Sequence, residues 1–310
     1  MMRLLKRSPG GHLELRCFND DDPPPYAILS HTWTEGQEVT YNELVTGEGK
    51  NKTGFAKIRF CVDRAAEDGI EYSWVDTCCI NKATTDNELT TAINSMFRWY
   101  QRAAKCYVYL SDVSVPKEVT DAEAFQITWD NAFRQSKWFT RGWTLQELLA
   151  PATVEFFSKE GKRLGSKISL EQEIYAVTQI PIDALRGQRQ LFQFSFNERI
   201  SWAENRKTSL KEDKAYCLLG IFGVFMPLIY GEGEEHAISR LRKEIVGLGN
   251  HQALRKPCSN VPFRKDDDFV DRGDFLSRID QRCLRSGGRA ALVGFGGFGY
   301  VLEYARTGQR

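Results

Sequence analysis

Four short, almost unbroken apolar runs, each followed by a stretch of helical periodicity, limit the fold of this chain more than any other feature. The runs are Tyr26-Ala-Ile-Leu-Ser-His-Thr-Trp33, Tyr72-Ser-Trp-Val-Asp-Thr-Cys-Cys-Ile80, Lys105-Cys-Tyr-Val-Tyr-Leu-Ser-Asp112 and Thr153-Val-Glu-Phe-Phe-Ser158. A strand that is apolar on both faces has to be covered on both, which is the condition of a parallel sheet flanked by helices. Between the runs, Phe55 to Asp68 places Phe55, Ile58, Cys61, Val62 and Ala65 at helical spacing and ends at Gly69. Glu88 to Ala104 does the same with Leu89, Ala92, Ile93, Met96, Trp99 and Tyr100, and a further helix is expected over Phe125 to Phe133. The alternation predicts an α/β fold with a doubly wound, mostly parallel sheet. Additional C-terminal helices are expected over Ser169 to Thr178, Phe196 to Asn205, Lys211 to Phe222 and Glu232 to Val246. Leu13 to Phe18 reads as an edge strand closed by Asp20-Asp-Asp-Pro-Pro-Pro25, and Thr34 to Thr53 as a long exposed loop.

Charge excludes some functions. Lys plus Arg number 42 and Asp plus Glu 41, so no global field points to nucleic acid or an anionic membrane. No apolar run reaches the roughly 18 residues of a membrane span, and Met1-Met-Arg-Leu-Leu-Lys-Arg7 leads into Ser-Pro-Gly-Gly instead of a signal core; a cytoplasmic protein is expected. Cys17, Cys61, Cys78, Cys79, Cys106 and Cys217 lie in apolar segments without zinc-site spacing and read as buried free thiols. The four histidines are scattered, and no metal site is expected.

Ligands of such sheets bind outside the carboxyl ends of the strands, here Ser30-His31-Thr32-Trp33, Cys79-Ile80-Asn81 and Ser111-Asp112. The start of the segment Trp138-Phe-Thr-Arg-Gly-Trp-Thr-Leu-Gln-Glu-Leu-Leu-Ala-Pro151 is expected at the same rim. Gly142 offers a backbone conformation closed to other residues, Pro151 stops the helix, and Trp143 shares a face with Glu147. Glu147 carries two readings: the capping-box partner of Thr144, or a functional carboxylate opening into a cleft that faces the His31 loop. Asp76, the lone acid in its apolar run, is either a rim ligand group or a buried structural acid. Arg199, Trp202, Arg206, Asp213 and Tyr216 read first as interhelical ion pairs and packing, with a ligand-facing role as the alternative.

The texture changes near residue 247. A first domain over 1–247 is expected to give way to a linker, 248–272, and then to 273–310, which opens like a phosphate-binding loop. Gly294 and Gly299 have that loop's spacing, but Tyr300 and Val301 stand where it requires Lys and Ser or Thr, so the loop reads as degenerate and no tightly bound nucleotide cofactor is expected.

The motifs Tyr26 to Trp33, Trp74 to Asn81, Trp138 to Pro151, Glu198 to Ala203, Glu212 to Phe222 and Met226 to Gly233 together resemble the fungal heterokaryon incompatibility (HET) domain. The tail is similar to the entry of the NACHT or NB-ARC type nucleotide-binding domain that follows it in NOD-like receptors, cut short here. The resemblance implies a cell-death effector of non-self recognition whose partners are further copies of itself or other NOD-like receptor signalling proteins. HET domains are also similar to TIR domains, whose flavodoxin-like sheets hydrolyse NAD, and Trp143-Thr-Leu-Gln-Glu-Leu148 matches the segment that carries their catalytic glutamate, with Thr144 in place of Cys. By that analogy Glu147 is the catalytic residue and NAD the substrate. His31 and Trp33 then line the nicotinamide or ribose pocket, Asp76 or Asn81 hold polar edges, and Trp143 completes the substrate-binding set. The alternative is a signalling module that kills by oligomerising or recruiting a partner, without catalysis.

Overall fold

Seven strands form one sheet in the order β2-β1-β4-β3-β5-β6-β7: β1 (Met2–Arg7), β2 (Leu13–Phe18), β3 (Tyr26–His31), β4 (Tyr72–Trp74), β5 (Lys105–Tyr109), β6 (Val154–Phe157) and β7 (Arg163–Ser166). The structure, a computed structural model, describes residues 2–8, 10–82, 86–116 and 122–254. The chain divides into two units, Met1–Ala253 and Leu254–Arg310, and all but the first residue of the second lies outside the described residues. The phosphate-loop residues Gly294, Gly299 and Tyr300 and the linker beyond 254 are therefore outside them as well.

The four central strands β4, β3, β5 and β6 run parallel, as the apolar runs require, while β1, β2 and β7 are antiparallel additions at the edges. Every residue of β3 is buried. Its alternate side chains show what covers each face. On one face the Tyr26 hydroxyl donates to the Trp99 carbonyl in the helix Asp86–Arg102, and Ser30 meets the helix Thr144–Leu149. On the other, His31 faces Glu38, which pairs with Lys57 in the helix Thr53–Glu67. Helices thus lie on both faces. The chain goes from β3 to β4 on one side and then crosses to β5 on the other. The connections therefore diverge between β3 and β5, where His31 stands opposite Tyr109.

Several expectations need correction. The run Tyr72 to Ile80 is not one strand: β4 stops at Trp74 and Asp76–Cys79 forms a helical turn, the Cys78 and Cys79 amides both donating to the Val75 carbonyl. A short apolar run fits a buried helical turn as well as a strand, because periodicity alone does not separate them. Asp76 is thereby moved from a sheet interior to the first turn of a helix at the rim. The expected loop Thr34 to Thr53 contains the helix Tyr41–Thr46, whose capping box pairs Thr40 with Glu43. The strand β1 was hidden because Met2, Leu4 and Leu5, all buried, are interspersed with basic residues. Cys17 is exposed, since β2 is an edge strand, whereas Cys61, Cys78, Cys79, Cys106 and Cys217 are buried and free. Lys211 to Phe222 divides into two short turns, Asp213–Tyr216 and Leu219–Phe222. The last helix continues past Val246 to Leu254, so the first residues assigned to the linker are helical; glycine within a helix costs only about 1 kcal/mol.

Gly220 fixes the approach of the C-terminal segment to the helix Asp86–Arg102. A Cβ at Gly220 would lie 2.1 Å from the Cβ of Phe97. Gly220→Ala is expected to lower stability by about 1–3 kcal/mol in chemical denaturation, the usual cost of overpacking; an unchanged midpoint would contradict this packing.

Candidate functional site

At the carboxyl end of β3, Ser30 lies between two groups supplied by the Trp138 to Pro151 segment. The Trp138 indole Nε1 donates to Ser30 Oγ at 2.8 Å, and the Ser30 hydroxyl donates to Glu147 Oε2. The segment is positioned from β5. Asp112 accepts from Ser136 Oγ and from the Lys137 amide, both at 2.8 Å, and so anchors the 3-10 turn Lys137–Thr140 that carries Trp138. Trp138 then packs edge-on against Phe139 and Phe156.

The capping-box reading of Glu147 is overturned. The helix Thr144–Leu149 is preceded by Trp143 as N-cap, with no side-chain cap bond. The Thr144 hydroxyl donates back to the carbonyls of Trp138 and Arg141, which leaves Glu147 free to point at β3. Gly142 serves in a different way than expected. It is not among the positive-φ glycines, but a Cβ there would lie 2.5 Å from Thr208 Cγ2, and its amide donates to the Lys207 carbonyl at 2.9 Å. Close approach, not special dihedrals, is what that position needs.

Glu147 is only 5% exposed, so its carboxyl is enclosed and does not open into a cleft as the sequence reading holds. Neither the cleft of about 520 Å³ nor that of about 290 Å³ is lined by it. Burial pushes its pKa up to about 8, opposed by the Ser30 hydrogen bond, reinforced by the negative charge of Asp76, and opposed again by Tyr100 and Arg206. Arg206 is itself buried and donates to the Arg141 carbonyl at 3.0 Å and to Thr144 Oγ1 at 2.8 Å.

A second polar group surrounds Asp76. Its Oδ2 accepts from Trp33 Nε1 at 2.9 Å, while its Oδ1 is buried without a hydrogen-bond partner, 4.0 Å from His31 Nε2. His31, 6% exposed, leaves Nε2 without a hydrogen bond too; Glu38 Oε2 lies 3.4 Å away without the alignment of one. Burial alone would raise the Glu38 pKa, but His31, Lys57 and the Thr34 amide hold it down to about 2. The Lys82 ammonium sits 3.7 Å from the centre of the Trp33 ring, within electrostatic reach of Asp76, Asp213 and Glu38. Asp213 in turn accepts from Trp143 Nε1 at 3.1 Å and from the Tyr230 hydroxyl at 3.0 Å.

The structure therefore brings His31, Trp33 and Asp76 together, and links them to Glu147 through the charge of Asp76. His31 and Ser30 are consecutive strand residues, so His31 points to the opposite face of β3 from the Ser30 and Glu147 pair. Trp143 is turned to Asp213 and not to Glu147. The Asn81 amide donates to Glu88, which also pairs with Arg3, on the flank of the helical turn. Sequence reasoning missed Ser30, Glu38, Lys82 and Trp138 as participants and took Asp213 for an ion-pair partner. Among the described residues no ion pair joins Arg199, Arg206 or Asp213 to an opposite charge. Ser30 carried a signal, since it ends an apolar run; Glu38, inside a polar loop, carried none.

A sheet with four parallel central strands, helices on both faces and polar side chains gathered at the carboxyl-end rim defines an α/β protein with a rim site. Residues 26–126 match the family described as heterokaryon incompatibility protein (HET). Over 248 residues the chain is 54% identical to vegetative incompatibility protein HET-E-1 of Podospora anserina, covering 79% of this chain and 18% of that relative. This chain belongs to the heterokaryon incompatibility family, and it spans less than a fifth of the length of the curated relative it matches. No solved structure matches it. Among the described residues no helix is long and apolar enough to cross a membrane.

The raised pKa has a consequence for stability. From the ordinary value of 4.5 up to about 8, the folded state keeps the Glu147 proton and the unfolded state does not, so this residue's contribution falls as pH rises through that window. Glu147→Gln is expected to gain stability over the parent between pH 5 and pH 8, by on the order of a few kcal/mol. Parallel curves of unfolding free energy against pH for the two proteins would contradict the assignment.

Proposed function

We propose that this chain is an effector of vegetative incompatibility, the process named in its relative, and that it acts by hydrolysing the bond between nicotinamide and ribose in NAD. The observation that carries this reading is a proton-holding carboxyl, Glu147, within the electrostatic reach of Asp76, whose buried Oδ1 has no hydrogen bond, at the divergence of the sheet connections. In the TIR-like, flavodoxin-like reading of the fold this is where ligands bind.

The chemistry suits such a group. When the C1′–N1 bond breaks, its electron pair passes to the pyridinium nitrogen, giving neutral nicotinamide and an oxocarbenium-like ribose to which water adds. The cationic pyridinium favours ionisation of a nearby carboxyl, so Glu147 gives its resting proton to solvent before the bond breaks. Glu147 then stabilises the ribosyl cation and takes the proton released by water. Trp33 supplies an aromatic wall, half exposed at 49% and backed by Lys82. His31 Nε2 and Asp76 Oδ1 face each other at 4.0 Å without hydrogen bonds, and a substrate hydroxyl or amide can be held between them; Asn81 and Trp143 lie farther out. Since Glu147 is enclosed, substrate entry requires its surroundings to open.

That enclosure also favours a second reading, in which Ser30, Trp138 and Glu147 form a structural polar knot and killing proceeds by oligomerisation or by recruitment of receptor partners. The loop bearing exposed Phe225, Ile229 and Tyr230 would then matter more than the rim.

The two readings separate in one assay. Purified chain with a crowding agent is expected to release nicotinamide from NAD, with a rate that rises with pH toward about 8 as Glu147 loses its proton more readily. Glu147→Gln is expected to lower the rate by about 100-fold or more while remaining folded. Toxicity in cells that persists in Glu147→Gln, together with NAD left intact by the parent, would establish the non-catalytic reading instead.

A further inference from the structure

A cleft of about 520 Å³ opens where the end of the helix Thr144–Leu149 meets the segment around Arg189 and the turn at Gly220 to Gly223. Its charged lining residues are Lys167, Arg186, Arg189 and Arg199, and no carboxylate lines it. Only Arg186 is neutralised, by a two-pronged pair with Glu171. The other three have no carboxylate within ion-pair distance among the described residues.

These cations are held in place by neutral groups. Lys167, 4% exposed, donates to the carbonyls of Leu148 at 3.2 Å and Pro151 at 2.7 Å, which leaves one of its three donors unused. Arg199 packs over the Phe222 ring and donates to the Ile221 carbonyl, and its buried Nε has no hydrogen-bond partner. Arg189 lies over the Phe194 ring and donates to the Gln193 carbonyl at 2.7 Å. Glu198, whose charge is felt by Arg189 and Arg199, is instead engaged in capping Ser195. Phe192, 61% exposed, stands at the wall of the same cleft.

We infer that this cleft binds a soluble phosphate-bearing molecule of nucleotide size, its phosphates taken by Lys167, Arg189 and Arg199 and its ring by Phe192. Fixed guanidinium groups and a buried ammonium without counter-ions match clustered phosphate oxygens, and the exposed aromatic ring matches a planar base. Burial holds the Lys167 pKa down to about 8, and a bound anion would raise it. The site is separate from the Glu147 rim: it does not include His31, Asp76 or Glu147. Its existence does not depend on NAD hydrolysis.

The test is calorimetric titration of the full chain with ATP at low salt, repeated with Arg189→Gln/Arg199→Gln, with Arg189→Gln alone and with Glu147→Gln. Saturable binding is expected, weakened at least tenfold in the double variant and measurably in the single one, with melting temperatures unchanged. Inorganic triphosphate is expected to compete, and Phe192→Ala to weaken ATP more than triphosphate. Glu147→Gln is expected to bind like the parent, so that loss of the enzymatic reading leaves this one standing. An absence of saturable binding, or an affinity that both arginine variants leave unchanged, would overturn the proposal, the latter by placing the nucleotide elsewhere in the chain.

Discussion

The Ser30 hydroxyl is the point at which the central strand and the Trp138 to Pro151 segment are locked together. It stands one residue before the end of the central parallel strand, accepts the indole N–H of Trp138 and donates to Glu147, all out of water. A buried polar group without partners costs about 1–3 kcal/mol, so each member of this trio constrains the other two. The constraint extends outward. Trp138 is fixed from Asp112 at the end of β5, and the helix bearing Glu147 ends where Lys167 takes the carbonyls of Leu148 and Pro151. One short segment thereby ties the sheet to the C-terminal helical region.

The electrostatics of the rim follow from that packing. Glu147 is enclosed beside a second acid, Asp76, and retains its proton toward pH 8, whereas Glu38, bracketed by His31 and Lys57, is held ionised down to about 2. Two carboxyls on opposite faces of one strand thus occupy opposite charge states at neutral pH. Burial raises the one and paired cations lower the other, so the two environments differ by what faces each carboxyl. The same chain also places cations without carboxylate partners around Lys167 at another cleft, so its near-zero formal charge of +1 conceals a local positive field.

Much of this was legible in the sequence because the relevant physics is local. Continuous apolar runs gave β3, β5 and β6, and helical spacing gave the helices Thr53–Glu67 and Asp86–Arg102 within a few residues. What failed depended on tertiary partners. The capping pattern at Thr144 and Glu147 is locally sound, but the Thr144 hydroxyl is drawn to the carbonyls of Trp138 and Arg141, while the same pattern is realised at Thr40 and Glu43. Asp76 sat in a run indistinguishable from strand until the turn Asp76–Cys79 lifted it to the rim. No local signal marks Glu38 or Lys82 as neighbours of His31 and Trp33, since loop closure alone brings them there.

The central physical claim is that Glu147 is a neutral, enclosed carboxyl in the resting protein. It is tested most directly by following the carboxyl resonance of 13C-labelled glutamate across pH, with Glu147→Gln used to assign the signal. The account predicts one carboxyl titrating near pH 8, absent from the variant. A Glu147 signal already ionised at pH 6 would contradict it.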